Sequence, residues 1–236
     1  MHITATTIIG AGGTGQFLIP GLMRVLKYHT SSNDNISVFD GDEFEDHNVE
    51  RQVHTSGSKA DRLNDLLTQQ LLDPVCRDQF MSESKLRAIR TRDARIANPG
   101  VRLVIAAVDN DATRKMCIDV LLDCPGDFLF VTPGNSDAAD PDGAIKGNVL
   151  WFGRIGDQMI GINPALLFPN IEIPADGIPR KGSCLEHAPS SPQLIPANAL
   201  AAAYTLTIVQ NFLDDRMPLQ ASHMFFNGRT LTTTAN

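Results

Sequence analysis

The chain has 236 residues, a net charge of −7, 42% apolar residues and four cysteines. That length suits one or two domains, and the negative charge argues against a dominant role on nucleic acid or on an anionic membrane surface. No stretch is apolar enough to cross a bilayer, no secretory leader precedes the first strand, and Cys76, Cys117, Cys124 and Cys184 form no C-x-x-C pair, so a reduced, cytoplasmic setting without a zinc ribbon or redox pair is expected.

Residues 3–9 are a β-branched, apolar run, continuous rather than alternating, as in a strand buried in a parallel sheet. The run leads into Gly10-Ala11-Gly12-Gly13-Thr14-Gly15 and then into a helical pattern through Leu18, Leu22, Val25 and Leu26. A strand, a glycine turn and a helix in this order make the setting of a nucleotide-binding loop. Gly10 permits the tight turn, Gly12 and Gly13 bring backbone close to phosphate oxygens, and Gly15 lets the helix approach the strand. The free N–H groups of the helix start then favour an anion. A tight turn in an unrelated α/β protein is the plainer reading of the same residues. Pro20 removes one helical hydrogen bond and predicts a local bend.

A second strand at 36–39 ends on Asp40, where an acidic residue can accept hydrogen bonds from ribose hydroxyls. The alternative is a solvated strand-end carboxylate. Residues 40–46 hold five carboxylates in seven positions, a density that reads as a solvated loop for Asp42, Glu43, Glu45 and Asp46. Arg51 stands apart, because a guanidinium suits bidentate phosphate recognition. Asn48 and Gln52 can add amide hydrogen bonds. Lys59 opens a helix with apolar positions Leu63, Leu66, Leu67 and Leu71, and its ammonium is a point charge able to follow a moving phosphate.

Residues 73–85 read as a turn-prone connection and 86–91 as a third strand. After the turn at 98–100, residues 101–108 form the best strand after the first, ending on Asp109-Asn110. Ligands sit at the carboxyl ends of strands in open α/β sheets, so Asp109, facing the glycine loop, suits Mg²⁺ held through oxygen. The next helix carries Arg114 and a buried face of Met116, Val120 and Leu121, with Cys117 and Cys124 as packing thiols. A strand follows at 127–132, then a turn at Pro133-Gly134-Asn135 and a polar loop at 137–143. Residues 149–152 and 159–162 read as antiparallel strands around 154–157. The segment from 164 to 192 is rich in Pro and Gly and contains Cys184 and His187; segments of that kind are usually functional. A long apolar helix at 195–213 (Leu200, Tyr204, Ile208 and Phe212 on one face) and a last strand at 224–226 complete the chain. The expected fold is α/β: a Rossmann-like, mostly parallel sheet with helices on both faces, extended by antiparallel strands in the C-terminal half. It is read as one domain over 1–236, with a nucleotide-binding half at 1–133 and the strands, loop and long helix at 134–236.

The ordered set resembles the ThiF/MoeB/HesA superfamily, whose fold is shared with ubiquitin-activating enzymes. Its carriers are the glycine loop 10–15, Asp40-Gly41-Asp42, Asn48-Val49-Glu50-Arg51-Gln52, Lys59, and Asp109-Asn110 with Arg114. They span roughly the first half of the chain. Further on, Pro133-Gly134-Asn135-Ser136, Gly147-Asn148-Val149 and Ser183-Cys184 are similar to the ThiF-family proteins of the PRTRC plasmid cassette. The resemblance implies an ATP- and Mg²⁺-dependent adenylyltransferase that activates the C-terminal carboxylate of a small ubiquitin-like or sulfur-carrier-like protein, and it implies a homodimer, with the 195–213 helix and the sheet edge as candidate surfaces. By position it assigns the ribose to Asp40, the nucleotide and its phosphates to Asn48, Arg51, Gln52, Lys59 and Asn110, and Mg²⁺ to Asp109.

Some relatives supply an arginine to the partner subunit's ATP from a helix ahead of the first strand. This sequence begins at the strand, so that arginine is expected to be absent or to come from elsewhere. Some relatives carry two C-x-x-C pairs for zinc, and none is present here. In other relatives a cysteine before the last long helix accepts the activated carboxyl as a thioester; Cys184 occupies the matching region, and a loop cysteine without chemistry is the alternative. Two other functions stay open: a non-catalytic relative that binds nucleotide or a tail, and an NAD-dependent oxidoreductase on the glycine loop and Asp40. The latter leaves Asn48 to Gln52 and Asp109-Asn110 unexplained.

Overall fold

Five strands build the N-terminal half: β1 (Ile3–Ile9), β2 (Ile36–Asp40), β3 (Val75–Asp78), β4 (Val101–Ala106) and β5 (Phe128–Asn135). Four more follow: β6 (Lys146–Ile155), β7 (Gln158–Gly161), β8 (His223–Asn227) and β9 (Thr232–Ala235). This is a computed structural model, and it describes residues 1–29, 35–44, 57–70, 72, 74–95, 100–135, 145–179, 195–217, 222–228 and 230–235. The strands make one sheet in the order β3-β2-β1-β4-β5-β6-β8-β9, with β7 paired to β6. Pairings from β3 through β5 are parallel, and those of β6 with β5, β7 and β8, and of β8 with β9, are antiparallel. The α/β architecture read from the sequence, parallel first and antiparallel later, is the observed one.

Seven helices complete the described chain: α1 (Gly13–His29), α2 (Lys59–Gln69), α3 (Glu83–Arg95), α4 (Asp111–Asp123), α5 (Pro164–Leu167), α6 (Pro169–Glu172) and α7 (Ile195–Leu213). They cover both faces of the sheet. Leu18, Leu22 and Leu26 of α1, Leu63 and Leu67 of α2, and Val209 and Phe212 of α7 share one core with Ile8 and Val38. Met116, Val120 and Leu121 of α4 share the other with Ile9, Phe128, Phe130 and Phe152. Successive residues of β1, Ile8 and Ile9, thus enter opposite cores, as the period of a strand buried on both faces requires. Each such large apolar side chain contributes about 1.5–3 kcal/mol by leaving water.

Three sequence expectations need correction. Residues 86–91 are helical, inside α3, where Leu86 and Arg90 are buried one turn apart, a spacing of four that fits a helix and not a strand. The third strand instead lies at Val75–Asp78, inside the stretch read as a connection; it is a short edge strand with alternately exposed residues. Pro133-Gly134-Asn135 does not turn the chain but extends β5, paired with Val149, Asn148 and Gly147 of β6. β4 pairs with β5 only as far as Val131, so the proline's missing N–H falls on an unpaired side. α1 runs on through Pro20. The long C-terminal helix is as expected, but it packs on α1, β5 and β6, and from Ala197 to Leu213 only Ala203 and Thr207 are exposed. Its apolar face is therefore used within the chain rather than left for a second copy. No described helix is long and apolar enough to cross a membrane.

Candidate active site

The order of strands reverses at β1, whose neighbours are β2 and β4. Chain leaving β1 and β4 therefore diverges to opposite faces, and a crevice opens at their carboxyl ends. That crevice is a cleft of about 110 Å³ lined by Gly10, Gly12, Gly13, Asp40, Lys59 and Asp109, together with Asp42, Thr14, Asn110 and Asn135. Its lining includes apolar Ile9, Phe39, Phe80, Met81 and Val108 beside the glycine loop.

The glycine loop is shaped by close approach. Gly10 has φ +97, and a side chain there would strike the Ala107 carbonyl. Gly15 lies against the Gly10 carbonyl, so α1 begins directly under the turn. Asp40 locks this geometry. Its Oδ2 accepts the Ala11 N–H at 2.6 Å and its Oδ1 the Asp42 N–H at 2.9 Å. Burial pushes the Asp40 carboxyl up to about 6, against the pull of the Lys59 ammonium, while the neighbouring Asp42 adds to the rise. Lys59, the first residue of α2, donates to Asp42 Oδ2 at 3.0 Å, and its own amide donates to the Asp42 carbonyl. The described lining therefore carries Asp40, Asp42 and Asp109 against Lys59.

Asp109 follows β4, is exposed, and among the described residues has neither a hydrogen bond nor an ion pair. Its neighbours are occupied. Asn110 caps α4, its Oδ1 accepting the Thr113 N–H at 2.8 Å. Arg114 donates to Asp111, Thr132 and the Val108 carbonyl at 2.6–3.1 Å, bolting the end of β4 to β5. Asp176 takes the Asp111 and Ala112 N–H groups, both at 2.8 Å, so a carboxylate already fills the start of α4. Among the described residues no cluster of three His, Cys, Asp or Glu could hold a metal by protein alone. One carboxylate completed by phosphate oxygens and water is nevertheless an ordinary Mg²⁺ arrangement, and Asp109 fits it.

The structure brings Gly10, Gly12, Gly13, Asp40, Lys59, Asp109 and Asn110 to one cleft, with Gly15 beneath it. Asn48, Arg51, Gln52, Cys184 and His187 lie outside the described residues. Phe80, Met81 and Pro179 line the cleft without having been singled out from the sequence. Recognising β3 would have put Phe80 and Met81 just past a strand end. A second cleft of about 530 Å³ shares Asp109 and Asn135 with the first and is lined further by Lys146, Asn148, Phe225 and Thr234 of the antiparallel half.

No protein-family model and no curated protein sequence matches the chain. Solved structures do match it along its length. Microcin C7 biosynthetic enzyme MccB in complex with N-formylated MccA superimposes with a TM-score of 0.58 at 15% identity, over 99% of this chain and 64% of that one. PaaA gives 0.56 at 14% identity, over 99% and 64%. E. coli MccB with AMPCPP and MccA gives 0.56 at 15% identity, over 98% and 63%. The fold is that of MccB and PaaA. This chain spans just under two thirds of the length of each. That fold is the α/β arrangement expected from the sequence.

The buried Asp40 carboxyl gives the site a pH signature. Its folded pKa, about 6, lies above the ordinary 3.8. The stability linked to Asp40 is therefore complete below pH ~4 and is lost as pH rises through ~6. If the ionised carboxylate accepts a ribose hydroxyl, adenosine affinity moves the opposite way, rising through pH ~6 and levelling above it. Adenosine carries no phosphate titrating in that window, so calorimetric titrations from pH 5 to 8 read Asp40 directly. Asp40→Asn should flatten the profile, and a wild-type profile already flat would remove Asp40 from ribose binding.

Proposed function

We propose that this chain activates a C-terminal carboxylate by adenylation, using ATP and Mg²⁺. The observation that carries the reading is the junction at Asp109 and Asn135, where a cleft built around a glycine loop shares its lining with a second cleft. A carboxylate entering along β6 and β8 reaches the nucleotide cleft at that point. MccB, which shares the fold, has been solved with ATP and with AMPCPP and MccA. The resemblance in sequence adds the finer reading: a small ubiquitin-like protein as substrate, a PRTRC-type setting and a homodimer.

In the reaction, a carboxylate oxygen of the tail attacks the α-phosphorus of ATP, its bond to pyrophosphate breaks, and an acyl-adenylate forms without net proton transfer. The protein's task is to hold the two reactants in line and to offset the phosphate charge. Gly12, Gly13 and Thr14 offer the start of α1 to the phosphates. Asp40 has lone pairs left for the ribose, and the apolar lining at Phe39, Phe80 and Met81 suits a base. Three carboxylates facing one lysine would repel a triphosphate. Mg²⁺ on Asp109 supplies compensating charge, and we assign Arg51, Asn48 and Gln52 to the same task. Cys184 remains our candidate for accepting the activated acyl group as a thioester.

Thermal unfolding with ATP·Mg²⁺, with ATP in EDTA and with NAD tests the reading without knowledge of the protein substrate, because a ligand that binds the folded state raises Tm by mass action. ATP·Mg²⁺ should stabilise most. At a hundredfold excess over Kd the gain is about 2.7 kcal/mol. Preferential stabilisation by NAD would move the chain to the oxidoreductase reading, and no shift with any of the three would end the nucleotide reading.

A further inference from the structure

Asn198 lies on α7, far from the glycine loop in sequence, yet its side chain is fully buried beside that loop. Its Oδ1 accepts the Thr14 hydroxyl at 2.9 Å and also the Asn135 side-chain amide. Thr14 lines the nucleotide cleft, and Asn135 lines both clefts at their junction. Its Nδ2 is buried without a hydrogen-bond partner among the described residues and stands 2.5 Å from where a Cβ on Gly13 would be. A buried donor left unpaired is costly, and an apolar residue at that place in an Ala-rich helix would avoid the cost. A residue needed only for packing has no reason to carry it.

We propose that Asn198 is a positioning residue of the nucleotide cleft. Through Thr14 it fixes the Gly13–Thr14 turn, whose backbone N–H groups face the phosphates. Through Asn135 it fixes the wall between nucleotide and tail. The same side chain thus ties α7 to both clefts and sets their relative position. This rests on the nucleotide reading above. It goes beyond that reading by separating phosphate recognition from base and ribose recognition: Asn198 acts on the phosphate end alone.

The test is equilibrium binding of ATP·Mg²⁺, AMP and adenosine to the full chain and to Asn198→Ala and Asn198→Asp, with Tm recorded for each. Asn198→Ala should weaken ATP·Mg²⁺ and AMP about tenfold while adenosine stays within about twofold, because only the charge-assisted contacts to phosphate are disturbed. Asn198→Asp keeps the acceptor for Thr14 but sets an oxygen where the unpartnered amide stood, and should weaken ATP·Mg²⁺ further than AMP. If the Asn198 variants do not fold, Thr14→Val breaks the same hydrogen bond from its other end and should show the same selectivity for phosphate. Equal losses for ATP·Mg²⁺ and adenosine, or no loss in a folded variant, overturn the proposal. Wild-type chain that binds none of the three overturns the nucleotide reading and this inference with it. Wild-type chain that binds ATP while the variants keep the wild-type ATP-to-adenosine ratio overturns this inference alone.

Discussion

Asp109→Ala is expected to remove the Mg²⁺-dependent part of ATP binding and to weaken ATP·Mg²⁺ by about 10- to 100-fold, a magnitude typical of disturbing a metal site. The expectation follows from what surrounds the residue. Asp109 is exposed at the end of β4, lines both clefts, and has no partner among the described residues to compensate for its charge. Asn110, Asp111 and Arg114 beside it are spent on capping and on joining β4 to β5. They cannot take over as an oxygen ligand without dismantling the start of α4. For the same reason the substitution should leave the fold intact, with stability within about 0.5 kcal/mol of wild type. In EDTA, wild type and variant should bind ATP alike. Once a tail substrate is in hand, ATP–pyrophosphate exchange should fall by about 100-fold or more, since the cation is lost where negative charge gathers in the transition state. An unchanged Mg²⁺ dependence in the variant would move the metal away from Asp109.

The largest stability effect should come from Gly10. With φ at +97 and the Ala107 carbonyl in the path of any Cβ, Gly10→Ala meets both backbone strain and a backbone clash that no side-chain rotation relieves. A loss of roughly 3–5 kcal/mol is expected, or about 6–20 °C in Tm for a chain of this size. Gly156 is the matched control. It also has positive φ, +59, but nothing lies within 4 Å of its missing side chain. Gly156→Ala should therefore cost about 1 kcal/mol, the backbone term alone. Equal losses at the two sites, measured by thermal or urea unfolding, would show that the contact with Ala107 is unimportant.

These two residues were legible because their signals are local. Gly10 ends a β-branched run and Asp109 ends another, and a strand end next to a glycine turn announces a ligand whatever surrounds it. α4 and α7 announced themselves through apolar period. β3 did not, because an edge strand of four residues buries little and carries Arg77 and Asp78 as readily as apolar side chains. α3 was hidden by its arginines: Arg90 is buried and reaches the Pro125 carbonyl, a role that composition cannot foretell. Pro133 looked like a turn until β6 supplied a partner strand along the whole of β5. Asn198 was invisible for a further reason. Its meaning comes from Thr14 and Asn135, 184 and 63 residues away, and nothing in the helix around it marks it as polar by design.

Two helices begin at the mouth of the nucleotide cleft, α1 after β1 and α4 after β4. At α4 the chain has seated its own carboxylate, Asp176, on the first amides. On the adenylation reading proposed above, an incoming polyanion would be offered one electropositive berth instead of two, and Asp176, by filling the competing seat, would set the direction in which that ligand lies.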